Sequence, residues 1–157
     1  MKKIDSLLNE YGESHKNKTN KLIHWICVPL IYLSIVGLVR SIPSDLLSNE
    51  YLSENYFNWA SLTVLLVMVY YLSMSFMLTL GMTIFSFICL YICNKLISLN
   101  LSILWISVCI FIVSWVFQFI GHKIEGKKPS FLKDIQFLMI GPAWLMHFIY
   151  KKLNIKY

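Results

Sequence analysis

The apolar positions of this chain run in long stretches, and the test for each is the roughly 20 residues that a helix needs to cross a hydrocarbon core about 30 Å thick. Leu22–Ile42 meets it, with Arg40 near its end as the only charge. Trp59–Asn94 carries no charge at all, and as one helix rising about 1.5 Å per residue it would be roughly 54 Å long, too long for a bilayer. It reads as a helical hairpin, at about 57–73 and 76–94, broken within Leu72–Gly81, where Ser73, Ser75 and Gly81 weaken the helix. Leu101–Gly121 is a fourth segment. Phe131–Tyr150 is a fifth, interrupted by Gly141-Pro142, because proline removes a backbone donor and clashes with the preceding turn.

Charge orients these segments. Lys2, Lys3, Lys16, Lys18 and Lys21 precede the first span, Lys123, Lys127, Lys128 and Lys133 follow the fourth, and Lys151, Lys152 and Lys156 close the chain. Arg40 and Lys95 are the only cations in the two connections on the other side, and Asp45, Glu50 and Glu54 make the first of these acidic. The positive-inside rule places the N-terminus and the 122–133 segment in the cytoplasm, and four spans between them satisfy both placements. A fifth crossing would put the basic C-terminus outside, so 131–150 is expected to be re-entrant or interfacial, turning at Gly141-Pro142. The predicted fold is therefore all-α: an integral membrane bundle of four transmembrane helices plus a fifth re-entrant or interfacial C-terminal helix. It forms one domain over 1–157, with 1–21 a cytoplasmic N-terminal segment.

Composition agrees: 57% of residues are apolar, 15% aromatic and 14% charged, and the mean hydropathy is +0.63, far from a soluble domain. The net charge of +6 reads as anchoring at an anionic leaflet rather than nucleic-acid binding, because the lysines flank spans. The charged first twenty residues lack the short apolar core and small-residue cleavage site of a signal peptide. Without a targeting extension, a bacterial inner membrane is the expected location. Cys27, Cys89, Cys93 and Cys109 lie within apolar spans without CxxC spacing, as small buried hydrophobes do. The aromatic residues read as interface belts and packing.

The polar residues that remain are more informative. At about 100° per residue Asn17, Asn20 and His24 share one face at the cytoplasmic mouth of the first span. His15 falls on the opposite side of a continuous helix and joins them only if the helix starts after it, for which Ser14, Asn17 and Thr19 are candidate N-caps. Gln118, His122 and Glu125 share a face at the cytoplasmic end of the fourth span, before Pro129 stops the helix. A Gln, His and Glu stripe is costly in lipid unless it faces the bundle. Each residue alone has a plainer reading, as a cap, an interfacial histidine, or a Glu125 paired with Lys123, Lys127 or Lys128. Together, three histidines and a carboxylate at one membrane face suit a first-row divalent metal, Fe(II), Zn or Mn. Two histidines and one carboxylate with open positions suit a non-haem iron oxygenase. Asn20 and Gln118 are then the partners that hold the imidazoles in orientation.

These residues resemble the Mpo1-like family, formerly a domain of unknown function. The match begins at Tyr11-x-x-x-His15 and runs through Asn20-x-x-x-His24 to Pro29. It resumes at Gln118-Phe119-Ile120-Gly121-His122-Lys123-Ile124-Glu125-Gly126-Lys127-Lys128-Pro129 and again at Gly141-Pro142. The chain departs from the family pattern at Cys27, where glycine is usual, at Ser130, where alanine is usual, and at Met74-Ser75, where an aspartate is common. It also lacks a glutamate near Phe148, where it offers His147. The resemblance implies a membrane Fe(II)-dependent dioxygenase of fatty-acid α-oxidation, cleaving a 2-hydroxy fatty acid with O2 to the acid one carbon shorter. It implies His15, His24 and His122 as metal ligands and Glu125 as a fourth ligand or a base that orients one. The acyl tail would lie among apolar helices in contact with membrane lipid, and Lys123, Lys127 and Lys128 would attract the carboxylate.

Other readings stay open on the residues alone. Two-iron membrane hydroxylases and desaturases need more histidines than the four present. A zinc-dependent membrane lipid hydrolase fits the same donors, since zinc would activate water there. A carrier usually places polar groups near the bilayer midplane, where the spans of this chain are nearly free of ionisable residues. A membrane assembly protein would leave the histidine and glutamate stripes without a reason.

Overall fold

The computed structural model describes residues 3–47, 51, 53–128 and 136–155. Lys2, Glu50, Pro129, Ser130, Lys133, Lys156 and the 131–135 start of the fifth apolar segment, all used above, lie outside them. The described residues fold into six helices: α1 (Lys3–Gly12), α2 (Lys18–Arg40), α3 (Trp59–Leu72), α4 (Phe76–Ser98), α5 (Ile103–Glu125) and α6 (Gln136–Lys152). Three of these, α2, α4 and α5, are long and apolar enough to cross a membrane. At 14 residues, α3 is apolar but only about 21 Å long.

Local chemistry sets the boundaries. Asn17 caps α2, its side chain accepting from the amides of Thr19 and Asn20. The hairpin breaks within the expected stretch: Ser73 ends α3, and Ser75 caps α4 by accepting from the Leu78 amide. α5 stops earlier than an arrest at Pro129 would require. Gly126 adopts the left-handed conformation (φ 72°), and the Lys127 amide bonds back to the His122 carbonyl, the glycine-terminated geometry that satisfies a helix's last carbonyls.

One element was not foreseen and one differs from the sequence reading. The N-terminal segment carries a helix: Ile4, Leu7, Leu8 and Tyr11, at the i, i+3, i+4, i+7 spacing, are all buried on one face of α1. And α6 runs through Gly141-Pro142 as one helix, so there is no turn at that dipeptide. The proline costs roughly 3 kcal/mol, but α6 buries Phe137, Ile140, Ala143 and Trp144 beside it, and each large side chain contributes about 1.5–3 kcal/mol. Burial outweighs the lost hydrogen bond.

The most extensive helix pair is α2 with α5. Two glycines let them approach: a Cβ on Gly37 would run into the Ser107 hydroxyl, and one on Gly121 into the Asn20 carboxamide. At one end of the bundle α1 and α6 pack across the α3–α4 turn. Tyr71 Oη donates to the Met139 carbonyl at 2.6 Å and Tyr150 Oη to the Met77 carbonyl at 2.5 Å. That end also holds the start of α2 and the finish of α5, and hence His15, Asn17, Asn20, His24, Gln118, His122 and Glu125.

Candidate metal centre

His15 sits in the turn between α1 and α2, His24 two turns into α2, and His122 in the last turn of α5. Because α2 starts only at Lys18, His15 is free of the helical phase that would have turned it away. The ring centroids lie 4.2 Å apart for His15 and His24, 5.1 Å for His15 and His122, and 4.9 Å for His24 and His122. One ring nitrogen from each lies within 4.8 Å of the others. All three are buried, at 1%, 1% and 5% exposure.

Two backbone carbonyls fix the protonation pattern. His15 Nδ1 donates to the Tyr11 carbonyl at 2.6 Å and His24 Nδ1 to the Asn20 carbonyl at 2.9 Å. A carbonyl only accepts, so each Nδ1 carries the proton and each Nε2 presents a lone pair. Both Nε2 atoms are buried without a hydrogen-bond partner, as is Nδ1 of His122. Buried polar atoms are nearly always paired, so three orphans in one cluster call for an explanation. Burial also pushes the His15 pKa down to about 4, holding the ring neutral as a metal requires. Three neutral imidazoles with converging nitrogens fit a divalent first-row ion.

The structure gives the other predicted residues different tasks. Glu125 stands apart from the histidine group. Its Oε1 accepts from the Lys16 amide, and its Oε2 from the Asn17 amide and from Asn20 Nδ2, at 2.9, 2.9 and 3.1 Å. It thus clamps the end of α5 onto the two amides just before α2, where a negative charge also suits the helix dipole. Asn20 orients His24 through its backbone carbonyl; its carboxamide instead donates to Glu125 and to the Ser14 carbonyl. Gln118 is buried beside the His24 ring. His147 lies outside the cluster, half-buried on a polar cavity that His15 also lines.

The sequence reading missed two residues here. Tyr11 stacks on His15 with centroids 4.2 Å apart and planes within 14°, and Trp144 packs on the same ring at 5.2 Å. The Tyr11-x-x-x-His15 spacing, one helical turn, was the available signal, but nothing in the sequence pairs α6 with that turn.

A family model described as 2-hydroxy-palmitic acid dioxygenase Mpo1-like matches residues 1–153. The chain belongs to the Mpo1-like family. No curated protein and no solved structure matches it.

In this Mpo1-like chain two cavities of opposite character flank the histidines. One, of about 170 Å³, starts at His122, Gln118 and Tyr11 and runs between apolar side chains of α2 and α3 as far as Val39 and Ala60. The other, of about 270 Å³, is polar and is reached from His15 past Lys16, Lys21 and His147. An amphiphile with its head at the histidines would find a wet side and a greasy side already in place.

Proposed function

We propose that this chain is an Fe(II)-dependent dioxygenase that cleaves a 2-hydroxy fatty acid to the acid one carbon shorter. The observation that carries the proposal is the trio of buried, unpartnered imidazole nitrogens, with the His122 ring opening onto an apolar cavity. The family description supplies the substrate class. His15, His24 and His122 would hold the metal. Iron, when bound there, supplies the redox chemistry by which O2 and a 2-hydroxy acid react.

The chain's own residues do the rest. The Tyr11 and Asn20 carbonyls keep the two Nδ1 protons in place, so the rings need not reorganise when a ligand arrives. Glu125 and Asn20 hold the His15 turn against α5. Lys16 and Lys21, on the polar cavity with His15, draw in an anionic head group. Gln118, between the histidines and the apolar cavity, is placed to donate to an oxygen of that head group. The tail lies in the apolar cavity, out of water.

In the same proposal α3, flanked by exposed Tyr56 and Phe57, completes a fourth span as an aromatic-anchored short helix. The single domain 1–157 then presents its N-terminus and metal site to the cytoplasm of a bacterial inner membrane. The support is charge: Lys21, Lys123 and Lys127 lie at the histidine end with Lys16 paired to Glu13, whereas the other end carries Lys95 and an Arg40 bound to Glu54. Zinc with hydrolytic chemistry is the second reading, favoured by the absence of Glu125 from the donor group, since three histidines also form a catalytic zinc site.

One experiment separates them. Protein purified without oxygen is analysed for metal, then given Fe(II), a long-chain 2-hydroxy acid and O2, alongside His122→Ala. A one-carbon-shorter acid from the parent and none from the folded variant is the expected result. Zinc with O2-independent turnover, or no shorter acid from the parent, overturns the dioxygenase, and equal product from both overturns His122 as a ligand.

A further inference from the structure

We infer that the Tyr11 hydroxyl pairs with the 2-hydroxyl group of the substrate, and so is the specificity-determining group that tells a 2-hydroxy acid from an unsubstituted one. The inference rests on the reading above only in placing the carboxylate at the histidines.

The fold holds every part of Tyr11 except its polar atom. The residue is 6% exposed, its ring stacked on His15 with centroids 4.2 Å apart and packed against Phe137 and Trp144 of α6. Its backbone carbonyl accepts from His15 Nδ1. The hydroxyl has no hydrogen-bond partner among the described residues, although a buried tyrosine O–H usually finds one. Its neighbours show where it points. A Cβ on Gly141 would meet Tyr11 Oη at 3.1 Å and Val28 Cγ1 at 3.5 Å, and Tyr11, Val28 and Gly141 all line the apolar cavity together with Gln118 and His122.

The chemistry of the cavity narrows what the hydroxyl can bind. Among the described residues no Asp, Glu, Lys or Arg lines it, whereas Lys16 and Lys21 lie on the other, polar cavity. A carboxylate facing a lone phenol there would give up its water without gaining a cation, which makes a charged group a poor match. A neutral hydroxyl matches, because it exchanges a hydrogen bond with water for one with Tyr11. In a 2-hydroxy acid that group sits on the first carbon beyond the carboxylate. With the carboxylate at the histidines, this carbon is the first to enter the cavity that Tyr11 and His122 share, and both of those rings pack on His15. An unsubstituted acid brings a methylene to the same place and leaves the Tyr11 hydroxyl buried and unpaired. A site that hydrogen-bonds a ligand's hydroxyl rejects the analogue lacking it far more strongly than an apolar pocket rejects a change of one methylene.

The test reads binding, with the full chain in lipid nanodiscs and no metal added. A 2-hydroxy acid and the unsubstituted acid of the same length each displace a bound fluorescent fatty acid, with empty nanodiscs as the blank. The parent is expected to favour the 2-hydroxy acid about tenfold, the scale of one hydrogen bond. Tyr11→Phe keeps the ring on His15 and removes only the hydroxyl, so it should abolish the preference by weakening the 2-hydroxy acid alone. Its thermal midpoint should equal or exceed the parent's, because no bond within the fold is lost. A hydroxyl with a structural role would lower that midpoint and weaken both acids, which overturns the inference. Gly141→Ala crowds the hydroxyl from α6 and should reduce the preference part-way; if Tyr11→Phe does not fold, this variant decides alone. A parent without the preference, or variants that keep it whole, also overturn the inference. Neither iron nor O2 enters the measurement. A preference lost in Tyr11→Phe with no O2 uptake by the iron-loaded parent would sink the dioxygenase and leave the role of Tyr11, whereas turnover with the preference intact in Tyr11→Phe would sink that role alone.

Discussion

A neutral imidazole is the form of histidine that binds a metal, and His15 is kept in that form by burial, with its pKa down to about 4 from 6.5. The unfolded chain takes up this proton near pH 6.5 and the folded chain resists it until about pH 4. Stability from this residue is therefore complete above pH 6.5 and falls away as the pH drops toward 4. The thermal midpoint of metal-free protein should decline across that window, and His15→Gln should reduce the slope by up to about 1.4 kcal/mol per pH unit, the value of one proton. A slope identical in both proteins would place the His15 ring elsewhere. Glu125 offers a second contrast at this scale. As a clamp and not a ligand, Glu125→Gln should leave one metal per chain and weaken its binding by about 10- to 100-fold, whereas His122→Ala should abolish stoichiometric binding. Isothermal titration of the two variants checks this, and loss of the metal from Glu125→Gln would return the carboxylate to the coordination sphere. Helical phase was enough to place Gln118, His122 and Glu125 on one inward face. It could not reveal that the carboxylate's partners are the amides of Lys16 and Asn17, because backbone donors have no signature in a sequence.

At the scale of the element, the α2–α5 crossing determines whether His24 and His122 meet. Gly121, next to His122, leaves the space into which the Asn20 carboxamide fits. Gly121→Ala should therefore cost about 1–3 kcal/mol by overpacking and also weaken metal binding, since it displaces the residue whose carbonyl orients His24. Gly126→Ala should cost about 1 kcal/mol through its left-handed backbone, with metal affinity unchanged, as a Cβ there meets nothing. Thermal melts paired with metal titration separate strain at the site from strain at a cap; equal loss of metal from both variants would contradict the packing described. The hairpin break at Ser73–Ser75 and the late start of α2 were legible because caps and turns are local. α6 was misjudged at Pro142 because the energy that carries a helix through a proline comes from Tyr11, Leu8 and other distant residues packed on it. α1 escaped notice for a related reason: its four apolar positions lie among charged ones, and only α6 makes a stripe of that length worth burying.

Across the whole molecule, the histidine cluster is a joint between two bodies. His24 and His122 belong to the α2–α5 pair, but His15 follows α1, whose apolar face rests on α6. An ion bound by all three would tie the α1–α6 layer to the bundle, and the tie should be measurable away from the site. Fraying of α1 requires His15 to leave, so a metal that binds only the docked form stabilises docking by RT ln(1 + [L]/Kd), about 2.7 kcal/mol at a hundredfold excess over Kd. Amide exchange along α1 should then slow by up to about a hundredfold when metal is added, with little change in the middle of α4, which makes no contact with the ion. His15→Ala should remove the protection of α1 even if some metal remains on the other two histidines. His24→Ala, which also weakens binding, should lose protection only in proportion to the metal lost, so saturating metal should restore it. If α1 exchanges at the same rate with and without bound metal in the parent, His15 does not take part in the site, and the α1–α6 layer is a cover rather than a part of the metal centre.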